Sequence, residues 1–301
     1  LEIAPALAAT GHSIKLVLAT ELKEQMNVPT SDACDLLIIY KVLSDISEEV
    51  RQIRECNVPV ILDVTEHIFD NEISGPFYVK MLPHADLVTV SSRKLKDLVS
   101  ALVKKPVAFI PDSVEGPGSK LRPEKPTGAL NLLWFGRSSS ATPLYQFLAR
   151  WERVSGHPRI KLHIVSDIQN LTMPEAQSGV EIRLFEWSPS TVDTCLSWSH
   201  AVLFPSGDEE VTQLKSANRV QQTLWNSRLP VGDMIESYQD FADFALFGQP
   251  ISQNLHRLWS DWDEIYQRVS GGYTMVENNF TASNVAALWT KRIDRVAKGT
   301  P

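Results

Sequence analysis

Apolar positions along the chain fall into short continuous runs, and these alternate with stretches of helical spacing. Asp35–Tyr40, Pro59–Asp63, Asp86–Val90 and Pro106–Ile110 are runs of the kind found in strands buried on both faces of a parallel sheet. Ser13–Ala19 alternates and also reads as a strand. Residues 1–10 form a short Ala-rich helix that Gly11-His12 stops. Ser47–Glu55 puts Val50 and Ile53 on one helical side with Ile46, and Arg93–Val103 is a helix following Ser91-Ser92.

A second series begins at Leu130. Leu130–Phe135, Ile160–Val165, Val180–Phe185 and His200–Phe204 read as strands, and Pro143–Val154 and Ser190–Trp198 as helices. A polar loop, Asp208–Gln213, precedes a helix capped by Ser216 and ending near Asn226-Ser227; Leu229-Pro230-Val231 opens one more strand. Residues 253–268 and 283–297 read as closing helices. Strands alternating with helices predict an α/β protein with parallel sheets. Between the two series, residues 111–129 hold four prolines and three glycines, the composition of a linker. The expected organisation is an N-terminal domain over 1–115, a linker over 116–129, a C-terminal domain over 130–282, and a terminal helix over 283–301.

The chain's 301 residues suit two domains of roughly 100–200 residues each. A formal charge of −7, from 29 basic and 36 acidic residues, argues against a broad nucleic-acid surface. Cys34, Cys56 and Cys195 are scattered without a C-x-x-C spacing, which suits a reducing compartment better than a disulfide scaffold or a zinc site. No apolar run approaches the ~20 residues of a membrane span, and no signal peptide is visible. A cytoplasmic location is expected. GxxxxGK[ST], HExxH and GxSxG do not occur, which disfavours the chemistries those signatures carry.

Candidate chemistry gathers at strand ends, where open α/β sheets bind ligands. Lys215, Asn218, Arg219 and Gln222 lie at the start of the helix after His200–Phe204. A helix start offers N–H groups and partial positive charge to a phosphate, and Arg219 and Gln222 share a helix face. Gly136, Arg137 and Ser138 follow the Leu130–Phe135 strand. Glycine there permits close backbone approach, arginine neutralises a diphosphate, and serine supplies donors. Glu186 and Trp187 end the Val180–Phe185 strand. Asp63, Glu66 and His67 end an N-terminal strand, where a carboxylate or imidazole assists proton transfer from an acceptor hydroxyl. Asp112 and Glu115 are weaker candidates in the linker region.

The run Lys215-Ser216-Ala217-Asn218-Arg219, with Gln222-Thr223-Leu224 and Leu229-Pro230-Val231, resembles the donor segment of GT-B glycosyltransferases related to family 4. The Gly136-Arg137 turn and HADLVTVSSRKLKDL resemble parts of the same family, and PALAATGHSIKLVLA resembles its first helix and second strand. The family's usual Glu is Gln222 here, its following Ala is Thr223, and its Gly before Pro-Val is Ser227 or Arg228. The commoner pair of Glu residues eight apart is absent, because Leu214 stands eight before Gln222; Glu209 and Glu210 lie in the loop upstream. The strand that opens the family's N-terminal domain is missing, so that part is expected to be incomplete.

The resemblance implies two facing Rossmann-like domains with a cleft between them, and the last helix crossing back to the first domain. It implies a nucleotide-diphospho-sugar donor held by Gly136, Ser138, Glu186, Trp187, Asn218, Arg219 and Gln222, with the loop at Trp187 on the nucleobase. Arg137, Lys215 and Arg219 would stabilise the departing diphosphate, with Glu66 or His67 at the acceptor. No metal or other cofactor is required by such an arrangement. The acceptor would be a glycan, a lipid-linked molecule or a small molecule, with peripheral membrane association left open and no nucleic acid partner. A non-catalytic nucleotide- or glycan-binding module, and a sugar-nucleotide epimerase or hydrolase, are the alternatives.

Overall fold

The computed structural model describes residues 3–19, 21–22, 34–42, 44–69, 71–151, 159–171, 179–207 and 210–299. It divides into two compact units. The first comprises Leu1–Ser113, Gln213–Asn218 and Phe280–Pro301; the second comprises Val114–Thr212 and Arg219–Asn279.

The first unit carries a four-stranded parallel sheet, in the order β1 (Leu37–Tyr40), β2 (Val60–Val64), β3 (Leu87–Val90) and β4 (Val107–Phe109). Both faces are covered, which is why the strands are apolar without alternation. Val60, Leu62 and Val64 pack in one core with Val50 and Ile53 of α2 (Ser47–Glu55) and Leu95 and Val99 of α4 (Arg93–Leu102). Ile61 and Leu87 face the other core, with Leu7 of α1 (Ile3–Ala9) and with Val285, Trp289 and Ile293 of the closing helix Ala282–Ala297. Ser92 caps α4 by accepting from the Leu95 N–H and donates to the Leu214 carbonyl, so it also ties down the segment 213–218.

One expectation fails here. Ser13–Leu18 is not a strand: no described strand pairs with it, and Leu16 and Leu18 are 62% and 68% exposed. Alternation predicts a half-buried face, but a strand also needs a neighbour for its N–H and C=O groups. No element was assigned from sequence over α3 (Gly75–Met81); Pro76 sits in its first turn, where no N–H is needed. Gly75 is required there, since a Cβ would lie 2.4 Å from the Phe69 carbonyl oxygen.

The second unit holds five parallel strands, β5 (Ala129–Phe135), β6 (Arg159–Ser166), β7 (Val180–Glu186), β8 (Ala201–Phe204) and β9 (Leu229–Gly232), in the order β7-β6-β5-β8-β9. The chain runs outward from β5 to β7 and then resumes at β8 on the other side, so the order reverses between β5 and β8. Helices α5 (Thr142–Ala149), α6 (Pro189–Trp198), α7 (Glu210–Gln213), α8 (Asn218–Trp225), α9 (Ile251–Ser260) and α10 (Trp262–Asn279) follow the strands in turn, and Ala282–Ala297 is α11.

Boundaries shift in four places. The helix expected over 143–154 is α5 and ends at Ala149, and 152–154 lie outside the described residues. The 208–213 loop contains the single helical turn α7, and Asp208 and Glu209 are outside the described residues. The α8 helix starts at Asn218, so Ser216, the expected cap, lies two residues before it. The helix over 253–268 is two helices, α9 and α10, broken at Asp261; α10 runs on through Gly271-Gly272. A Cβ on Gly272 would meet Leu224 at 2.8 Å and Phe244 at 2.9 Å, so this glycine serves packing and not a stop.

The Pro- and Gly-rich stretch after Ser113 is fastened to α8. The Gln222 amide accepts from the Glu115 N–H at 2.9 Å and donates to the Glu115 carbonyl at 3.0 Å. Trp225 Nε1 donates to the Gly116 carbonyl, Ser119 N–H to the Trp225 carbonyl, and Ser227 Oγ to the Ser119 carbonyl. Buried Arg228 then donates to the Leu121 carbonyl at 2.7 Å.

Candidate functional site

In the second unit, the carboxyl ends of β5, β6, β7 and β8 bring six of the expected residues together with several that were not expected. The turn after β5 is Gly136-Arg137-Ser138. Gly136 donates its N–H to the Val165 carbonyl at 3.1 Å and accepts from Ser166 Oγ at 2.7 Å, which fixes the turn against the end of β6. Ser138 donates both its N–H and its Oγ to the Asp167 carboxylate, each at 2.7 Å. The Ser138 and Asn170 hydrogen bonds hold the Asp167 carboxyl well below the usual carboxylate range. Arg137 is exposed at the middle of this turn.

Glu186 closes β7 and accepts from the Ile168 N–H at 3.3 Å. Trp187 donates its N–H to the Ser166 carbonyl at 2.9 Å, and its side chain is 54% exposed. The β6 end therefore binds both neighbouring turns: Ser166 and Asp167 link Gly136-Ser138 on one side and Glu186-Trp187 on the other. Ser166 and Asp167 were not singled out from sequence, because they lie in a strand end with no motif of its own.

Arg219, in the first turn of α8, reaches the same place. Its Nη1 donates to the Phe135 carbonyl at 2.8 Å. Its guanidinium lies 5.7 Å from the centre of the Phe204 ring, which meets the Tyr238 ring edge-on at 5.8 Å. A Cβ on residue 136 would stand 3.0 Å from Arg219 Nη1, so glycine leaves the space the guanidinium occupies. Gln222, one turn further along α8, is directed to the Glu115 main chain.

The other expected residues belong to the first unit. Lys215 is half-buried and Asn218 exposed, both in the segment 213–218. Glu66 is exposed, and His67 is half-buried with its ring edge-on to Phe69 at 6.3 Å between centres. The same sheet end holds a more deeply set pair. Asp63 accepts from Thr89 Oγ1 at 2.7 Å, and burial, with Asp112 adding to it, pushes its carboxyl up to about 7. Burial also raises Asp112, against the lowering effect of Ser216 and Lys41. Lys41 follows β1 with a left-handed φ of 48°, uncommon for a residue with a side chain. Asp63, Lys41, Thr89 and Asp112 thus lie at the carboxyl ends of, or just beyond, the four strands. Among the described residues no group of His, Cys, Asp and Glu could hold a metal ion. No described helix is long and apolar enough to cross a membrane.

No family model matches the chain, and no curated protein matches it by sequence. Solved structures do. HepE of Anabaena in complex with UDP-glucose superposes with a TM-score of 0.68 at 10% identity, over 91% of this chain and 81% of that one. The trehalose-6-phosphate synthase OtsA gives 0.64 at 13% identity, over 92% and 75%. The E. coli trehalose-6-phosphate protein bound with UDP-2-fluoro glucose gives 0.63 at 12% identity, over 93% and 76%. These neighbours are GT-B proteins, and two Rossmann-like parallel sheets are common ground.

Proposed function

We propose that this chain, which has the GT-B fold, is a glycosyltransferase that transfers a sugar from a nucleotide-diphospho-sugar to an acceptor hydroxyl. The carrying observation is the meeting of the Gly136–Ser138 turn and Arg219 at the reversal of strand order between β5 and β8, where open α/β sheets take ligands, with Trp187 bonded to the neighbouring end of β6. In this proposal the second unit binds the donor. The Gly136–Ser138 turn and Arg219 hold the diphosphate, and the exposed Trp187 lies at the base. Arg137 and Arg219 stabilise charge that develops on the departing diphosphate. The first unit binds the acceptor, with Asp63, Glu66 and His67 at its strand ends as candidate proton acceptors. UDP is the first nucleotide to test, since HepE and the E. coli neighbour were solved with UDP-sugars.

A thermal-shift titration with UDP, GDP and ADP, followed by a UDP-glucose turnover assay, tests this. One nucleotide should raise the melting point with concentration, as ligand binding to the folded state requires. Arg137→Ala should lower turnover by at least about 100-fold, the scale seen when one charge-stabilising donor is removed. No nucleotide effect at any concentration would sink the proposal. The Gln222 amide, engaged on the Glu115 main chain where the family places a carboxylate, favours a second reading: a binding module without turnover. Nucleotide binding with no product from any sugar donor would select it.

A further inference from the structure

The carboxylate of Asp167, just past the end of β6, is filled by donors from within the fold. Oδ1 accepts from the Ser138 N–H at 2.7 Å and from Ser166 Oγ at 3.1 Å; Oδ2 accepts from Ser138 Oγ at 2.7 Å and from Asn170 Nδ2 at 3.0 Å. A carboxylate has about four acceptor sites, so none is left over for a ligand hydroxyl. Gly136 is held on the same strand end by the Val165 carbonyl and Ser166 Oγ. Between Gly136 and Ser138, Arg137 has its own carbonyl engaged by the Ser140 N–H at 2.9 Å. The main chain of Arg137 is thus fixed on both sides. Its exposed guanidinium makes no hydrogen bond or ion pair among the described residues.

A carboxylate beside a phosphate site repels the ligand, and this one also withholds both Ser138 donors from it. Its place there calls for another role. We propose that Asp167 is a positioning residue for diphosphate recognition: by bonding the main chain and the side chain of Ser138, it sets the backbone from which Arg137 reaches the phosphates. The inference rests on the donor-site proposal above and adds to it a residue that touches no ligand itself. Ser138 serves the turn, and the phosphates fall to Arg137 and to Arg219, whose Nη1 donates to the carbonyl of Phe135, the residue before Gly136. A turn ordered before the ligand arrives loses no further backbone freedom on binding. Asp167 then acts on the phosphates through Arg137 and leaves the nucleoside part of the ligand unaffected.

Affinities of the intact chain for UDP and for uridine, measured by calorimetry, test this on wild type, Asp167→Ala, Arg137→Ala and the double variant. Asp167→Ala removes a negative charge and frees both Ser138 donors, changes that by themselves favour an anion. It should nevertheless weaken UDP by about tenfold, the scale of one long side chain losing its preorganisation, and leave uridine unchanged. In the Arg137→Ala background the same substitution should bring no further loss of UDP, because the two residues act as one unit. Asp167→Asn, which keeps one oxygen for the Ser138 N–H, should lose less, and it carries the same comparison if Asp167→Ala does not fold. UDP affinity at or above wild type in Asp167→Ala would show a carboxylate that competes with the phosphates or ignores them, and would overturn the inference. So would equal loss of UDP and uridine, the mark of a merely structural aspartate, or an undiminished effect without Arg137. A wild-type protein that binds no nucleotide would instead overturn the donor-site proposal, and this one with it.

Discussion

Arg228 shows what a single side chain holds in this fold. It is 2% exposed, and its donors go to the carbonyls of Leu196, Ser197, Leu121, Asn226 and Ser227. Burial lowers its pKa, yet a guanidinium stays charged in proteins. Two of its acceptors are carbonyls at the end of α6, where a helix carries partial negative charge. The planar fork reaches several carbonyls that an ammonium cannot reach together. Arg228→Lys should therefore cost about 2–4 kcal/mol, and Arg228→Met, which leaves those carbonyls unpaired, at least as much. Urea denaturation of the two variants checks this; a loss below about 1 kcal/mol in both would show that water replaces the arginine. In the family pattern this region carries a glycine, so the resemblance assigned Arg228 no role, and only the main-chain geometry reveals one.

At the scale of elements, α8 and the strap from Val114 to Leu121 form one bonded piece. Gly118 adopts a left-handed φ of 66° and stands where a Cβ would lie 2.3 Å from the Trp225 ring. Gly118→Ala faces both a strained backbone and that clash, and should cost more than about 2 kcal/mol. Hydrogen exchange across 114–122 should rise with it; unchanged protection would mean that the strap is held elsewhere. The Pro and Gly content marked this stretch as a break between two α/β series. How it is fastened was not legible, because the bonds run between main-chain groups and residues about 107–109 positions away, which leave no local pattern. The strand runs of both sheets were legible because burial on both faces removes all but apolar residues from them. Ser13–Leu18 misled for the converse reason: its pattern fits a strand, and pairing is not written in pattern. Gly136 and Arg219 could be read separately from a turn and a helix start. Asp167, Tyr238 and Phe204 join them only through the arrangement of strand ends.

At the scale of the whole molecule, the two units carry buried titratable groups of opposite sense. In the first, Asp63 is raised to about 7 from an ordinary 3.8 by burial. Between those pH values the folded state keeps the proton and the unfolded state has lost it, so stability falls as pH rises from about 4 to 7. Asp112 is raised by burial in the same unit and acts in the same direction. In the second unit, burial and then Arg228 lower His200 to about 4 from 6.5. Its Nδ1 accepts the Asn131 N–H at 2.8 Å, a bond that protonation would destroy. There the unfolded state takes up the proton first, so stability falls as pH drops from about 6.5 to 4. Hydrogen exchange at pH 5 and pH 8, corrected for the intrinsic rate, should show β2 and β3 opening more readily at pH 8 and β5 and β8 more readily at pH 5. Asp63→Asn keeps an acceptor for Thr89 and should stabilise the first unit at pH 8 by up to about 4 kcal/mol while removing most of its pH response. His200→Asn, which keeps an acceptor for Asn131, should flatten the second. Exposed carboxylates with lowered pKa values, such as Asp45 beside Lys80, add a screened background common to parent and variant, so the differences between them isolate the buried groups. If both units weakened in the same direction, or if the two variants left the profiles unchanged, the buried carboxyl and imidazole would not govern the pH response of the fold.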